Sequence, residues 1–168
     1  MKDKITLDRI ALLHPTLREE AFEIYDEIIE QLTGSAGCRF SYTLRTIKEQ
    51  DELFAQGRTK PGRKVTNARG GQSYHNYGLA IDIVLLIDKD GNGTKESASW
   101  DTKADFDGDR KSDWIEIVTI FKRYGWEWGG DWKFVDAPHF QKTFGKSITE
   151  LQKLLNQGTV DKGGYVLI

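Results

Sequence analysis

The sequence predicts an α+β domain in which a small sheet is covered by helices. Two observations predict it: capping signals punctuate four separate helical segments, and the strand-like runs between them lack the regular βαβ alternation of a doubly wound fold. Taking the elements in order, Thr16-Leu-Arg-Glu19 reads as a capping box, and Leu17, Ala21, Ile24, Tyr25, Ile28 and Leu32 recur at helical spacing up to Gly34. Arg39 to Leu44 reads as a strand. Thr46-Ile-Lys-Glu49 is a second box, and its helix stops at Gly57. The aliphatic run Leu79 to Ile87 reads as a buried strand. Asp113-Trp-Ile-Glu116 opens a helix that continues through Ile117, Val118 and Phe121 to Gly125. A short aromatic strand near Gly125-Trp-Glu-Trp128 and another at His139-Phe-Gln follow, and Ser147-Ile-Thr-Glu150 opens a last helix that ends before Gly158. Two long loops, Gly57 to Tyr74 and the aspartate-rich Asp88 to Ser112, are of a length that in a compact domain carries a function or disorder.

Composition narrows the function. The chain has 168 residues, which suits one domain spanning 1–168 under the usual size of ~100–200 residues per domain. One cysteine, Cys38, excludes an internal disulfide and any site built on several thiolates, so a metal would need His, Asp and Glu ligands. Lys+Arg 24 against Asp+Glu 26 gives a net charge of −2 and no general basic field, which argues against nucleic acid as a partner. The first residues, Met1-Lys-Asp-Lys-Ile5, contain no apolar signal-peptide core, and no apolar run approaches the ~20 residues of a membrane span. The expectation is a monomer without a signal peptide, cytoplasmic until something releases it.

Asp82 is the most informative residue. It sits within Leu79-Ala-Ile-Asp-Ile-Val-Leu-Leu-Ile87, and an ionised carboxylate taken out of water there needs a cation. Two partners fit: an arginine such as Arg45, or a metal. His75 lies seven residues earlier, where the glycine-rich loop enters the strand, and Gly78 permits close backbone approach between them. His139, in Asp136-Ala-Pro-His139, supplies a third ligand. Two His and one Asp leave the fourth tetrahedral position of Zn²⁺ open, as in catalytic rather than structural sites. Water activated at such a position has a pKa near ~7, and Asp136 is placed to take its proton and pass it to a leaving amine. Trp126, Trp128, Trp132 and Phe134 are expected in the core or in strand pairing, with Trp132, close before Asp136, the exception that could wall a pocket. His14, at a helix entrance, is left out of the metal set.

The acidic loop offers a second candidate. Asp105, Asp107, Asp109, Asp113 and Glu116 fall at positions 1, 3, 5, 9 and 12 of an EF-hand-like Ca²⁺ loop, but position 6, normally Gly, is Arg110. The upstream Asp88-Lys-Asp90-Gly-Asn92-Gly93 has the glycine and lacks a Glu at position 12. The alternative is a solvated acidic loop that caps the helix at Asp113.

Ser73-x-His75-x-x-Gly78-x-Ala80-x-Asp82 followed by Asp136-x-x-His139 resembles the signature of the M15 metallopeptidases that cut bacterial cell-wall peptides. Arg45-Thr-Ile-Lys-Glu-Gln50 and Gln56-Gly-Arg-Thr59 resemble the branch of L-alanyl-D-glutamate peptidases and phage endolysins. The resemblance covers roughly residues 8–157. It implies a hedgehog/D,D-peptidase-like fold with an antiparallel sheet, Zn²⁺ on His75, Asp82 and His139, Asp136 as catalytic base and then acid, Arg45 holding a substrate carbonyl or carboxylate, and Ser73 in the substrate cleft. It also implies peptidoglycan as the substrate, cleaved between L-Ala and D-Glu. A D,D-carboxypeptidase or D-Ala-D-Ala dipeptidase on the same site, or a non-catalytic zinc-stabilised wall-binding module, are the alternatives. Phage and bacterial origins both fit.

Overall fold

The computed structural model describes residues 2–168. Its elements are α1 (Lys4–Ala11), α2 (Arg18–Gln31), β1 (Ala36–Tyr42), α3 (Ile47–Ala55), β2 (Ala80–Ile87), β3 (Ser97–Ser99), α4 (Asp113–Arg123), β4 (Glu127–Trp128), β5 (His139–Gln141) and α5 (Ile148–Asn156). The strands form one antiparallel sheet in the order β1-β2-β5-β4. Strand β2 is its spine. One edge pairs with β1, and the other pairs with β5 at Ala80–Asp82 and with β3 at Leu85–Ile87. This is the predicted α+β class with its small sheet.

Side-chain alternation along β2 divides the molecule into a core side and a site side. Ile81, Ile83 and Leu85 are fully buried, and Ile81 is paired with Phe140 of β5. Phe140 stacks on Phe121 of α4 with ring centroids 4.1 Å apart, Phe121 meets Phe40 of β1, and Phe40 meets Tyr25 of α2. This aromatic chain, with Ile24, Ile28, Trp114 and Ile117, packs α2 and α4 on one face of the sheet. Asp82, one residue out of phase with Ile81 and Ile83, points to the other face.

Two helix starts are as the sequence predicts. Thr46 and Ser147 both close full capping boxes, with Glu49 and Glu150 respectively. Two others differ. The Thr16 box does not form, because Pro15 starts a short 3₁₀ turn, Pro15–Leu17, in which the Thr16 N–H donates to the His14 ring, and α2 continues directly from it at Arg18. The α4 cap is Ser112 rather than Asp113, with its hydroxyl accepting from Ile115 N–H at 3.2 Å. Strand β1 starts at Ala36, earlier than the predicted Arg39, and β3 has no sequence signal. Phe134 is not a core residue: it is 85% exposed. Trp126 is buried, as expected, and donates to Glu20 at 2.7 Å.

Helix α1 also lies outside the sequence reading. It is only two turns long, with Ile10 in the core and Leu7 packed against it, and its start is fixed by tertiary contacts. Asp3 caps it by accepting from Thr6 N–H at 3.0 Å, and its two oxygens also receive a bidentate pair of bonds from Arg39 of β1, at 3.0 and 2.8 Å. Burial alone would raise the Asp3 carboxyl. The bonds from Arg39 and Thr6 outweigh that and hold it below the ordinary carboxylate value. Asp3→Ala is therefore expected to destabilise the fold by about 2 kcal/mol in denaturant unfolding. Because the folded pKa is depressed, this contribution is fully present above the unfolded value of about 3.9 and is lost as pH falls through the folded value. The stability gap between wild type and Asp3→Ala should close correspondingly in acid.

Candidate metal centre

Three ligating atoms converge on the site face of the sheet. His139 on β5 is the direct cross-strand partner of Asp82 on β2, so their side chains share a face. His75 enters from a 3₁₀ turn, Tyr74–Tyr77, just before β2. Ser73 caps this turn with its hydroxyl, and Gly78 ends it at φ +68°. A Cβ on Gly78 would lie 2.6 Å from the backbone nitrogen of His14, whose N–H donates to the Gly78 carbonyl at 2.9 Å. Glycine is therefore required for both the dihedral and the contact.

His75 Nε2 lies 3.1 Å from Asp82 Oδ1 and 3.2 Å from His139 Nδ1, and His139 Nδ1 lies 3.2 Å from Asp82 Oδ1. The outer nitrogens set the tautomers. His75 Nδ1 is 2.6 Å from the Thr43 carbonyl, which can only accept, so Nδ1 carries the proton and Nε2 presents a lone pair. Gln141 donates its amide to Glu127 Oε2 at 2.9 Å, which turns Oε1 toward His139 Nε2 at 3.1 Å. That ring is then protonated on Nε2 and presents its Nδ1 lone pair inward. Three acceptors thus face one another with no hydrogen between them, an arrangement that calls for a cation. Ligand atoms about 2.0–2.2 Å from one Zn²⁺ at tetrahedral angles are about 3.3 Å apart, close to the separations found here. The set fits a zinc ion held by two imidazoles and one carboxylate.

The electrostatics agree. Burial pushes the Asp82 carboxyl up, but the facing His75 and His139 rings more than offset this and hold it far below the ordinary range. Burial pulls His139 down, but the bond and charge of Asp82 outweigh this and raise it above the ordinary imidazole value. Both shifts express the attraction of the Asp82 carboxylate for positive charge on its partners; with the two rings neutral and their lone pairs turned inward, that charge has to come from a cation.

The triangle opens on a cleft of about 470 Å³ lined by Arg45, Ser73, Trp132 and Asp136 among others. The Trp132 ring lies 5.2 Å from the His139 ring. Asp136 is carried by the turn after β4, where its N–H donates to the Gly129 carbonyl at 2.9 Å and its carbonyl accepts from His139 N–H at 3.1 Å. A Cβ on Gly129 would come within 2.4 Å of the Asp136 carbonyl oxygen, so the turn needs glycine there. Burial raises the Asp136 carboxyl from its ordinary value. The nearby Asp82 charge adds to that rise, and His139 opposes it.

Arg45 makes the ion pair with Asp82 that the sequence offered as one alternative, and it also lines the cleft. Its Nη2 approaches Asp82 Oδ2 at 3.8 Å, a loose ion pair, while Nη1 donates to Gln50 at 2.9 Å and the guanidinium lies over the Tyr42 ring. Its Nε is buried without a partner. Gln50 in turn donates to the Ala68 carbonyl at 2.8 Å, so the loop 57–74 is tied to Arg45 through one buried glutamine. Ser73 lines the cleft and also accepts from His75 N–H at 3.3 Å. His14 lies apart, bonded to the Val166 carbonyl.

Sequence reasoning missed Thr43, Gln141, Glu127 and Tyr42. The first acts through its backbone and has no side-chain signal. Gln141 follows His139 by the strand period of two, and that spacing could have found it.

A peptidase M15 family model described as D-alanyl-D-alanine carboxypeptidase matches residues 66–142. The chain is 48% identical over 132 residues to the peptidoglycan L-alanyl-D-glutamate endopeptidase CwlK of Bacillus subtilis, a match covering 77% of this chain and 72% of that protein. It is 30% identical over 116 residues to the L-alanyl-D-glutamate peptidase of Listeria phage A118, covering 64% of this chain and 34% of the phage protein. The fold resembles the crystal structure of the Serratia marcescens L-Ala D-Glu endopeptidase ChiX, with TM-score 0.53 and 23% identity over 84% of this chain and 88% of that one.

Gln141→Leu leaves His139 Nε2 without its acceptor and should weaken zinc binding by about 10–100-fold in competition with a chromogenic chelator. Lys2→Ala, far from the cleft, should leave the affinity unchanged.

Proposed function

Because the chain belongs to the M15 family of peptidases, we propose that it is a zinc-dependent peptidoglycan endopeptidase that hydrolyses the L-Ala–D-Glu bond of cell-wall stem peptides. The observation that carries this reading is the triangle of His75, Asp82 and His139 lone pairs opening on a cleft that also holds Asp136. The 48% identical relative is named for this bond, which supports the choice of substrate. We read residues 1–168 as a single catalytic unit.

In this reading His75, Asp82 and His139 hold the metal, with Thr43 and Gln141 fixing the two rings. Zn²⁺ bound there supplies Lewis acidity toward the scissile carbonyl and makes water acidic enough to attack near neutral pH. Asp136 accepts the proton of the attacking water and returns it to the amine that leaves as the C–N bond breaks. Its raised carboxyl suits it to both steps. Arg45, pinned by Gln50 and stacked on Tyr42, offers its remaining N–H groups to a substrate carboxylate or carbonyl oxygen, and stem peptides carry such carboxylates. Trp132 forms a wall against which the peptide packs.

No helix among the described residues is long and apolar enough to cross a membrane. A phage or prophage lysin that reaches the wall after membrane permeabilisation is one setting for this activity, and a bacterial wall-remodelling enzyme is another. The carboxypeptidase description of the family model keeps one rival bond in play.

Two measurements test the proposal. Mass spectrometry of digested peptidoglycan should show new N-terminal D-Glu and retained terminal D-Ala. Release of D-Ala with the L-Ala–D-Glu bond intact would reject the endopeptidase reading. Asp136→Ala should keep its zinc and lose turnover by about 10²–10⁴-fold, whereas His75→Ala should lose zinc and activity together. Normal hydrolysis by Asp136→Ala would overturn the mechanism.

A further inference from the structure

The acidic segment between β3 and α4 is not used by the peptidase chemistry. Its carboxylates gather in two overlapping groups, Asp105 with Asp107 and Asp113, and Asp107 with Asp109 and Glu116. Within each group the oxygens lie within 4.8 Å of one another. Clustering of exposed acids is common, but two members of this cluster are buried. Asp113 is fully buried and Glu116 is 8% exposed. Each has one oxygen, Asp113 Oδ1 and Glu116 Oε2, that is shielded from solvent and meets no hydrogen-bond donor. A buried carboxylate oxygen left without a donor or cation is costly, and two within the first turn of one helix point to a missing positive charge.

The charges on hand do not supply it. Lys111 bonds Asp109 at 2.9 Å and stands 3.6 Å from Oε1 of Glu116, too far for a hydrogen bond, from a side chain that is 65% exposed. Gln31 also donates to Oε1, at 2.7 Å. The remaining Asp113 oxygen, Oδ2, accepts from Phe106 N–H.

We infer that the Asp105–Glu116 loop is a Ca²⁺ site whose ligands are carboxylate oxygens of Asp105, Asp107, Asp109, Asp113 and Glu116. Oxygens on one Ca²⁺ at about 2.3–2.6 Å are at most about 5 Å apart, so each group by itself is tight enough for an ion, and Asp107, common to both, links them; binding would draw the two groups together. The ligand positions follow the 1, 3, 5, 9, 12 pattern. The sequence objection at position 6 is met by the backbone: Arg110 adopts φ +73°, the conformation a glycine supplies there, and its N–H donates to Asp105 at 2.8 Å. All-oxygen, anionic coordination favours Ca²⁺ over Mg²⁺, which demands a tighter octahedron and keeps its waters.

The ion would join α2 to α4. Asp107 Oδ2 accepts from Thr33 N–H just past the end of α2, and Glu116 is bonded to Gln31 in its last turn. Its effect is on stability, and the inference stands independently of the peptidase reading.

The test is calorimetric and thermal titration of the full chain with CaCl₂, in parallel with MgCl₂. We expect one Ca²⁺ site of micromolar to millimolar Kd and a rise in Tm of about 5–10 °C when Ca²⁺ is roughly 100 times Kd, reversed by chelator. Asp107→Asn/Asp109→Asn and, separately, Glu116→Gln should each weaken binding at least tenfold, while Asp88→Asn/Asp90→Asn in the other loop should not. No heat and no Tm change with the unmodified chain overturns the inference. So does a Ca²⁺ response that survives both the Asp107/Asp109 and Glu116 substitutions, or one matched by Mg²⁺.

Discussion

A carboxylate in the central strand of a sheet must be met by positive charge, and at Asp82 that demand organises the surrounding structure. The strand alternation that turns Ile81 and Ile83 into the helix-covered core turns Asp82 to the opposite face, beside its cross-strand partner His139. His75 is delivered to the same point by a turn that only glycine at position 78 allows. Each imidazole has its outer nitrogen committed to an acceptor, Thr43 or Gln141, and so both inner nitrogens face Asp82 as lone pairs. An arginine alone would leave these nitrogens opposed to one another. Arg45 in fact stands 3.8 Å off, held by Gln50 and directed to the cleft.

The core and the site are thus two faces of the same short sheet. On the core face, Phe140 stacks between sheet and helix; on the site face, its neighbours His139 and Gln141 carry the ligand and its orienting partner. Three residues of β5 therefore fix packing and chemistry together. Asp136 is attached to this assembly through Gly129 and through its own carbonyl, which accepts from His139 N–H, so the candidate base keeps a fixed relation to the metal ligand.

What the sequence made legible was local chemistry. A charge inside an aliphatic run, two histidines spaced around it and two complete capping boxes need no tertiary information, and each is found where its residues suggested. What it hid depends on partners distant in the chain. Helix α1 rests on the Asp3–Arg39 pair, and the orientation of His139 rests on the Glu127–Gln141 cross-strand pair. The Thr16 box, locally well formed, lost to the turn set by Pro15 and His14. In the acidic loop the pattern of ligands was readable, but the objection at Arg110 could be weighed only against the backbone, and the buried oxygens of Asp113 and Glu116 only against their surroundings.

The central claim is that His75, Asp82 and His139 close on one Zn²⁺ and leave it an open position. X-ray absorption at the zinc edge of the loaded protein tests this most directly. Four or five light ligand atoms at about 2.0–2.2 Å from the ion, with scattering from two imidazole rings, are expected. A shell with three or more imidazoles, a sulfur ligand at about 2.3 Å, or zinc that remains six-coordinate in water would contradict it.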